Sequence, residues 1–245
     1  NVPYEEGQHT AGRILDADRV VKSPGIPDKA PMVKAVRERG IPVVSEIEFA
    51  APYTSARTIC VTGSNGKTTT TTLTYEILRR AGANVALGGN IGRSFALSVA
   101  TERRDWYVIE LSSFQLDGCC DFRADIGVLT NITPDHLDRY EYRLQNYVDS
   151  KFRILRNQRP QDCFIYCADD PLTLENLPKH PLSMRTLPFS VRCGDCAAVL
   201  RDGTIRAEVA GRRLEIPASE FRIKGIHNIY NAMAAVLAAL SAGIE

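Results

Sequence analysis

Two glycines, a lysine and a threonine follow an apolar stretch in Val61-Thr-Gly-Ser-Asn-Gly-Lys-Thr68. Glycines let a tight loop turn its N–H groups toward one point, where the lysine adds positive charge and Thr68 offers a hydroxyl to Mg²⁺. The pattern predicts a loop that binds a nucleotide triphosphate, although a plain glycine turn with a solvated lysine is the alternative. The residues of this predicted ATP site are Gly63, Ser64, Asn65, Gly66, Lys67, Thr68 and Thr69.

An acid ends the apolar segment Asp105-Trp-Tyr-Val-Ile-Glu110. In a parallel sheet, the carboxyl ends of strands meet at the edge where a phosphate-binding loop lies. Glu110 is therefore predicted to share a magnesium ion with Thr68. The alternative is a glutamate at a strand end that faces water.

A second candidate metal ligand occurs in Asn131-Ile-Thr-Pro-Asp-His136. A strand is expected to end at Asn131, and Thr133 is expected to cap a helix that begins with Pro134. His136 would then lie near the positive end of that helix, where a neutral imidazole can bind a metal. A histidine without a ligand is the alternative.

Lys151 interrupts an apolar helical face. The face consists of Leu144, Tyr147, Val148, Phe152 and Leu155, and Lys151 falls on it by the spacing of three and four residues. Its side chain could extend outward to water. If it instead lines a cleft, desolvation lowers its pKa and leaves a neutral amine that can react.

The elements that would position these residues alternate between strands and helices. Apolar strand patterns occur at 58–62, 85–87, 106–111, 126–132 and 163–168. Such alternation predicts an α/β fold with a doubly wound, mainly parallel sheet. The alternating pattern of 197–217 around Asp202-Gly203 predicts a small antiparallel patch. Residues 227–242 are apolar on nearly every side, which predicts a buried helix.

Residues 1–52 form a separate predicted unit with a strand, a helix over 31–39 and a second strand at 41–45. A parallel sheet needs covered faces and more strands, so this unit is expected to be the remnant of a Rossmann-like α/β domain truncated at its amino end. Residues 53–245 are predicted to form the ATP-binding domain.

Composition narrows the class of protein. The 245 residues are 44% apolar and 24% charged, with a net charge of +1, which gives no electrostatic reason to expect nucleic acid or an anionic membrane. The sequence shows no apolar run of bilayer length and no signal-peptide layout, so a cytoplasmic location is expected.

Seven cysteines are an odd number, and without a secretion signal this favours reduced thiols. Zinc at Cys163, Cys167, Cys193 and Cys196 is an alternative. The first two lie in a strand-like apolar run, which favours packing instead.

Several motifs occur together and in order along the chain. They are Gly63-Ser-Asn-Gly-Lys-Thr68, Gly89-Asn-Ile-Gly92, Glu110-Leu-Ser-Ser-Phe-Gln-Leu116, Asn131-Ile-Thr-Pro-Asp-His-Leu-Asp-Arg139, Tyr147-Val-Asp-Ser-Lys151 and His227-Asn-Ile-Tyr-Asn231. In this order the chain resembles the Mur ligases of peptidoglycan synthesis over almost its whole length. The third motif, with Ser23-Pro-Gly-Ile-Pro27, looks most like the members that add D-glutamate.

The resemblance implies a monomeric ligase with ATP, UDP-N-acetylmuramoyl-L-alanine and D-glutamate as substrates. In the family, ATP phosphorylates a carboxylate, and an amine attacks the acyl phosphate. By position, Lys67 matches the phosphate-binding lysine, and Thr68 and Glu110 match the ligands of one Mg²⁺. His136 matches a ligand of a second Mg²⁺, and Lys151 matches a lysine that carries carbon dioxide as a carbamate.

The resemblance also implies contacts with the substrates. Asn90, Ser112 and Ser113 would face the muramoyl-alanine end, and Ser23, Pro24 and Gly25 would lie by the uridine diphosphate. Asn228 and Asn231 are similar to the family's adenine contacts, with polar packing at a helix start as the alternative. These residues are numbered as in the sequence.

Family members have a third domain that binds the amino acid, and no segment of this sequence resembles it. The 245-residue chain is therefore expected to show little ligation by itself. Three alternatives remain from the residues: another amide ligase of the superfamily such as folylpolyglutamate synthase, a simple phosphotransferase, and a non-catalytic nucleotide-binding module.

Overall fold

The main sheet of the chain has nine strands in the computed structural model, which describes residues 3–222 and 224–244. They are β3 (Arg57–Thr62), β4 (Val85–Gly89), β5 (Trp106–Glu110), β6 (Ile126–Leu129), β7 (Cys163–Cys167), β8 (Arg185–Ser190), β9 (Ala198–Arg201), β10 (Thr204–Val209) and β11 (Arg212–Pro217). Their order is β11-β10-β9-β8-β7-β6-β3-β5-β4. Strands β3 to β9 pair in parallel, and β10 pairs antiparallel with β9 and β11.

Helices cover both faces of this sheet. The α-helices of the described residues are α1 (Ala11–Ile14), α2 (Pro31–Glu38), α3 (Glu46–Ala50), α4 (Lys67–Arg80), α5 (Phe95–Thr101), α6 (Ser113–Asp117), α7 (Leu144–Phe152), α8 (Pro171–Asn176) and α9 (Ile226–Ser241). None of them has the length and apolarity to cross a lipid bilayer.

Alternate residues of the central strands enter two separate cores. Val61 and Val108 pack with α4 and the buried α9, whereas Cys60 and Ile109 pack with α6 and α7. This division follows from the period of two along a strand. The doubly wound, mainly parallel sheet, the antiparallel patch and the buried final helix are confirmed.

Strand β8 was not predicted from the sequence. It pairs in parallel with β7 and β9 and carries Pro188 opposite Tyr166. A proline inside a strand removes a donor of the hydrogen-bond ladder, and the residues around it are partly polar, so the strand pattern is weak.

The amino-terminal unit contains a two-stranded parallel sheet of β1 (Val20–Val21) and β2 (Val43–Val44), with α2 between them. Contacts with the larger unit begin soon after β2. Helix α3 buries Ile47 in the second core, and the Glu48 carboxylate accepts hydrogen bonds from three backbone N–H groups of residues 120–122. By its contacts, α3 lies with the larger unit, although the predicted boundary falls after residue 52.

Candidate functional site

The loop between β3 and α4 requires glycine at two positions. Gly63 has φ +144° and Gly66 has φ +83°. A Cβ on Gly63 would lie 2.0 Å from the hydroxyl of Thr130, and a Cβ on Gly66 would lie 2.2 Å from Asn231 Oδ1. Residues with a Cβ rarely adopt a positive φ. Both the torsion angles and the lack of space for a Cβ therefore require glycine at these positions.

The donors of this loop fall into two groups. The N–H groups of Ser64 and Asn65 donate to the backbone and side-chain oxygens of Asn131, at 2.9 and 3.0 Å. The N–H groups of Lys67 to Thr69 lie in the first turn of α4, where no helical carbonyl precedes them. The second group is therefore the one that can face an anion at the positive helix end.

Lys67 folds back over the loop. Its ammonium group donates to the carbonyl oxygens of Gly63 and Ser64, both at 2.9 Å, and its pKa is lowered, chiefly by burial. The charge thus lies directly above the loop. If a phosphate oxygen took the place of these carbonyl oxygens as acceptor, the Lys67 ammonium would already be close enough to bind it.

Glu110 lies at the end of β5 beside the loop, as its position after an apolar strand predicts. Its side chain is only 1% exposed. One carboxylate oxygen accepts from the Thr68 hydroxyl at 2.7 Å, and the other accepts from the Asn90 amide at 2.8 Å. Burial of a carboxylate is tolerated here because both oxygens are hydrogen-bonded.

The predicted helix capped by Thr133 is wrong. The structure has an irregular loop and then a single 3₁₀ turn at Leu137–Arg139, preceded by His136 in the left-handed region at φ +50°. The Thr133 backbone is held by Ser64, which donates to its carbonyl and accepts from its N–H, each at 2.9 Å. The Thr133 hydroxyl accepts from Asn65, so it binds the phosphate-binding loop rather than a helix end.

His136 is placed at the edge of the cleft rather than inside it. Its side chain is 53% exposed, and its Nε2 lies 3.5 Å from an Asp135 carboxylate oxygen. Its ring centroid is 5.2 Å from that of Phe114. The imidazole is therefore accessible to an incoming ligand.

Lys151 projects from α7 into the interior, and its residue is 2% exposed. Its ammonium group donates to the Gly63 carbonyl at 2.7 Å and lies 5.1 Å from the centre of the Tyr147 ring. Burial, with added repulsion from Lys67, lowers the pKa of Lys151 to about 7. The side chain does not extend outward to water, so the cleft interpretation is the one that the structure supports.

Lys67, His136 and Lys151 line one cleft of about 260 Å³, whereas Thr68 and Glu110 are not part of its lining. Eight of the predicted site residues line it: Pro24, Gly25, Lys67, Asn90, Ser112, Ser113, His136 and Lys151. Ser23 does not line it, and Ser112 also caps α6 through a hydrogen bond with Gln115. Phe114, Asp135 and Tyr147 line the cleft without having been predicted to act there. All three lie inside the motifs given above, next to residues with predicted roles.

A second cleft of about 570 Å³ lies on the other side of the loop and reaches the start of α9. Its lining includes Asn65, Gly66, Thr69, Asn228 and Asn231. Asn231 is 6% exposed, and its side chain accepts from the hydroxyl of Thr70 at 3.3 Å and donates to Asn228 at 3.3 Å. Asn231 is thus packed against the loop, and Asn228 lies nearer to solvent.

The cysteines do not form a metal cluster. Within residues 3–222 and 224–244, no group of three or more His, Cys, Asp or Glu side chains is arranged to hold a metal ion. The cysteines are free thiols, and Cys163 and Cys167 are buried in β7. The apolar-packing interpretation of these two residues is the one that the structure supports.

A parallel sheet, a glycine loop that leads into a helix and an acid at the end of the adjacent strand together define a nucleotide-binding domain of the phosphate-loop class. Residues 61–239 match the family model described as the Mur ligase middle domain. The chain belongs to the Mur ligase family.

Curated relatives agree in their names. The chain is 52% identical over 245 residues to a UDP-N-acetylmuramoylalanine–D-glutamate ligase of Bacteroides fragilis. The match covers 99% of the chain and 55% of that protein. The chain is 51% identical over 252 residues to the protein of the same name from Bacteroides thetaiotaomicron, covering 100% of the chain and 55% of that protein. The chain therefore spans about half the length of these relatives.

Solved structures share the fold. A Neisseria meningitides UDP-N-acetylmuramate:L-alanyl-gamma-D-glutamyl-meso-diaminopimelate ligase superposes with a TM-score of 0.67 at 18% identity, covering 96% of this chain and 78% of that one. A UDP-N-acetylmuramoyl-L-alanyl-D-glutamate–2,6-diaminopimelate ligase superposes with a TM-score of 0.63 at 21% identity, covering 87% and 54%.

Proposed function

We propose that this chain carries the ATP-binding centre of a ligase that joins D-glutamate to UDP-N-acetylmuramoyl-L-alanine, converting ATP to ADP and phosphate. Relatives with that name are about half identical to it along nearly its whole length. The observation that carries the proposal is the buried Lys151 against the Gly63 carbonyl. A phosphotransferase or a simple nucleotide-binding module has no need of an amine in that place.

The phosphate groups of ATP would lie over the first turn of α4. In support of this, the N–H groups of Lys67 to Thr69 lie in that turn without preceding helical carbonyls, and the Lys67 ammonium lies against the adjoining loop, at the carbonyl oxygens of Gly63 and Ser64. The nucleoside would occupy the cleft of about 570 Å³, with Asn228 at its edge. Asn231 would act mainly by packing against the loop, because its oxygen accepts from the Thr70 hydroxyl and occupies the space beside Gly66 where a Cβ would lie.

One magnesium ion fits the pair of Thr68 and Glu110. The hydroxyl and the carboxylate already lie 2.7 Å apart, and Mg²⁺ prefers such oxygen ligands. A bound Mg²⁺ would supply positive charge to the phosphate oxygens. Asn90 would keep the other oxygen of Glu110 in position through its hydrogen bond.

A second metal position, at His136 and Lys151, is also part of the proposal. An uncharged Lys151 amine can add to carbon dioxide: a C–N bond forms, and a proton leaves to solvent. The product is a carboxylate in place of a cation. Since Lys67 lies close enough to lower the pKa of Lys151 by repulsion, this reversal of charge would replace repulsion with attraction.

The substrate carboxylate would enter the cleft of about 260 Å³ beside Lys67. There it would attack the γ-phosphorus of ATP, with ADP as leaving group. The D-glutamate amine would then attack the acyl carbon, and phosphate would leave. Asn90, Ser112 and Ser113 line this cleft and would orient the muramoyl-alanine end, and Pro24 and Gly25 form the wall proposed to face the uridine diphosphate.

The decisive experiment joins this chain to the flanking segments of the Bacteroides fragilis relative and measures phosphate release. We expect release that requires UDP-N-acetylmuramoyl-L-alanine and D-glutamate together, and that is lost in Lys151→Met. L-Glutamate, L-lysine and meso-diaminopimelate serve as control acceptors. ATP hydrolysis that is independent of both substrates, or full phosphate release in Lys151→Met, would contradict the proposal.

A further inference from the structure

Arg139 joins the two units of the chain. Its guanidinium donates hydrogen bonds to the carbonyl oxygens of Pro24 at 3.3 Å, Gly25 at 3.4 Å and Ile26 at 3.3 Å. In the part of the chain that the structure describes, these are all the hydrogen bonds that link residues 3–44 to residues 53 and beyond. The turn at 24–26 is therefore hydrogen-bonded to the larger unit through a single side chain.

The guanidinium also lies on an aromatic ring. Its central carbon is 4.4 Å from the centroid of Phe114, a distance at which a cation is attracted to the ring face. The same ring contacts the imidazole of His136, with centroids 5.2 Å apart, and stacks nearly parallel on Tyr140 at 5.9 Å. Phe114 thus touches both Arg139 and His136.

His136 and Arg139 are also joined along the backbone. Only one 3₁₀ turn, Leu137–Arg139, separates them, and His136 itself lies at φ +50°. A displacement of Arg139 would therefore move a short, tightly turned segment. The His136 side chain is half exposed, its Nε2 lies 3.5 Å from an Asp135 carboxylate oxygen, and its ring packs against Phe114, so a shift of Phe114 would change the surroundings of the imidazole.

We propose that Arg139 and Phe114 are positioning residues that couple the turn at 24–26 to the direction of the His136 ring. Docking of this turn fixes the guanidinium, and Phe114 transmits that position to the imidazole. Pro24, Gly25, Phe114 and His136 all line the same cleft. The consequence for catalysis depends on the proposed function. If that function holds, the wall at Pro24 and Gly25, which faces the uridine-linked substrate, moves together with His136, the ligand of the second metal.

Arginine suits this role better than lysine. A planar guanidinium presents several donors in fixed directions and can lie flat on a ring, whereas an ammonium is a compact point charge. Lys22 already donates to the Ile26 carbonyl at 2.8 Å, so a second ammonium would compete for one acceptor. A lysine in place of Arg139 would not span three carbonyls, and Arg139→Lys should therefore retain the contact only in part.

The test uses hydrogen exchange of the 245-residue chain, followed by mass spectrometry of peptides that cover 22–30. The amide of Ile26 donates to Ser23 within this turn. In Arg139→Met we expect its exchange to become about tenfold faster, equivalent to about 1.4 kcal/mol. The matched control is Arg143→Met, which removes an exposed arginine four residues later and should leave exchange unchanged.

The second readout is the NMR spectrum of the histidine rings, with the His136 signals assigned from His136→Gln. We expect these signals to shift in Arg139→Met and Phe114→Leu, to shift less in Arg139→Lys, and not to shift in Arg143→Met. His180, which stacks on Phe152, is an internal control and should not respond.

Three results would overturn the coupling: equal exchange at 22–30 in Arg139→Met and Arg143→Met, faster exchange throughout the chain, or His136 signals that stay in place. None of these measurements depends on catalysis. ATP binding by the unmodified chain, measured on the same samples, would separately reveal a failure of the proposed function.

Discussion

The ammonium group of Lys151 lies 2.7 Å from the carbonyl oxygen of Gly63, the first glycine of the phosphate-binding loop. Helix α7 and the loop between β3 and α4 are thus joined by a buried amine whose ordinary state is charged. The pKa of Lys151 is lowered to about 7, first by burial and then by Lys67. The group is therefore close to equal populations of amine and ammonium at neutral pH.

The first prediction concerns carbon dioxide. Only the neutral amine reacts, so at a fixed concentration of dissolved CO₂ the carbamate should increase from pH 6 to pH 8. The neutral fraction rises from about 10% to about 90% over that range, because each pH unit changes the ratio tenfold. Carbon-13 NMR with labelled bicarbonate should show a carbamate signal in the unmodified chain.

The control for this signal is another lysine. Lys34→Met removes an exposed lysine on α2 and should retain the carbamate resonance, whereas Lys151→Met should lose it. A resonance of equal intensity in Lys151→Met would assign the carbamate to a different amine and exclude Lys151.

The second prediction concerns stability in CO₂-free buffer. An unfolded lysine has a pKa of about 10.4, above the value near 7 for folded Lys151. Between these values the unfolded chain binds more protons, so stability rises with pH. Below pH 7 both states are protonated, and the folded state bears the full cost of a buried charge.

Lys151→Met removes that cost. Its free energy of unfolding should exceed that of the unmodified chain most at pH 6.5 and progressively less toward pH 10. Each pKa unit corresponds to about 1.4 kcal/mol, so the change is on the order of a few kcal/mol. Urea unfolding at several pH values measures it, with Lys34→Met as reference. A difference that stays constant with pH would contradict the lowered pKa.

The strand, loop and helix from 57 to 80 could be predicted from the sequence because three local patterns are consistent with one another. They are an apolar strand, glycines at the turn and a helix that ends before Gly82. The same holds for Glu110 at a strand end. For Lys151 the sequence allows two interpretations, since its spacing on α7 places it on the apolar face without showing what lies opposite. Only the fold brings Gly63 to that face.

The segment after Asn131 shows why local signals fail. Thr133 followed by Pro134 is a good helix start, but Ser64 binds both backbone groups of Thr133. This contact spans 69 residues of sequence, and the segment that it holds lies in no helix or strand. The docking of 24–26 through Arg139 was equally invisible, since arginine in a polar loop carries no pattern that identifies its acceptors.

The third prediction tests the first metal position. Glu110→Gln keeps the size of the side chain but replaces one carboxylate oxygen with an NH₂ group, which can face the Thr68 hydroxyl only if that hydroxyl turns to accept, since Asn90 presents a donor. It also removes the negative charge that Mg²⁺ requires. We expect calorimetry to show that Mg²⁺ strengthens ATP binding to the unmodified chain, and that this gain falls about tenfold or more in the variant.

The control for charge is Glu208→Gln. Glu208 pairs with Arg213 at the surface of the antiparallel patch, so its loss changes the net charge by the same amount away from the loop. The gain from Mg²⁺ should be retained there. If Glu110→Gln kept the full gain, the metal position between Thr68 and Glu110 would be wrong.

The last prediction compares two glycines with nearly the same φ. Gly66 has φ +83° and Gly82 has φ +84°, but a Cβ on Gly82 would meet no atom within 4 Å, whereas one on Gly66 would lie 2.2 Å from Asn231 Oδ1. Alanine in this conformation costs about 1–2 kcal/mol at either site. Gly82→Ala should therefore lower the free energy of unfolding by that amount and leave ATP affinity unchanged.

Gly66→Ala should cost more, because Asn231 must leave its position against Thr70, and ATP affinity should fall at least tenfold as the first turn of α4 shifts. Adding Asn231→Ala should recover the part of the lost stability that comes from the collision, but not the part that comes from φ. Denaturant unfolding and calorimetry on the unmodified chain and these three variants separate the two effects. Equal ATP affinity in Gly66→Ala and Gly82→Ala would show that the phosphates bind away from this loop.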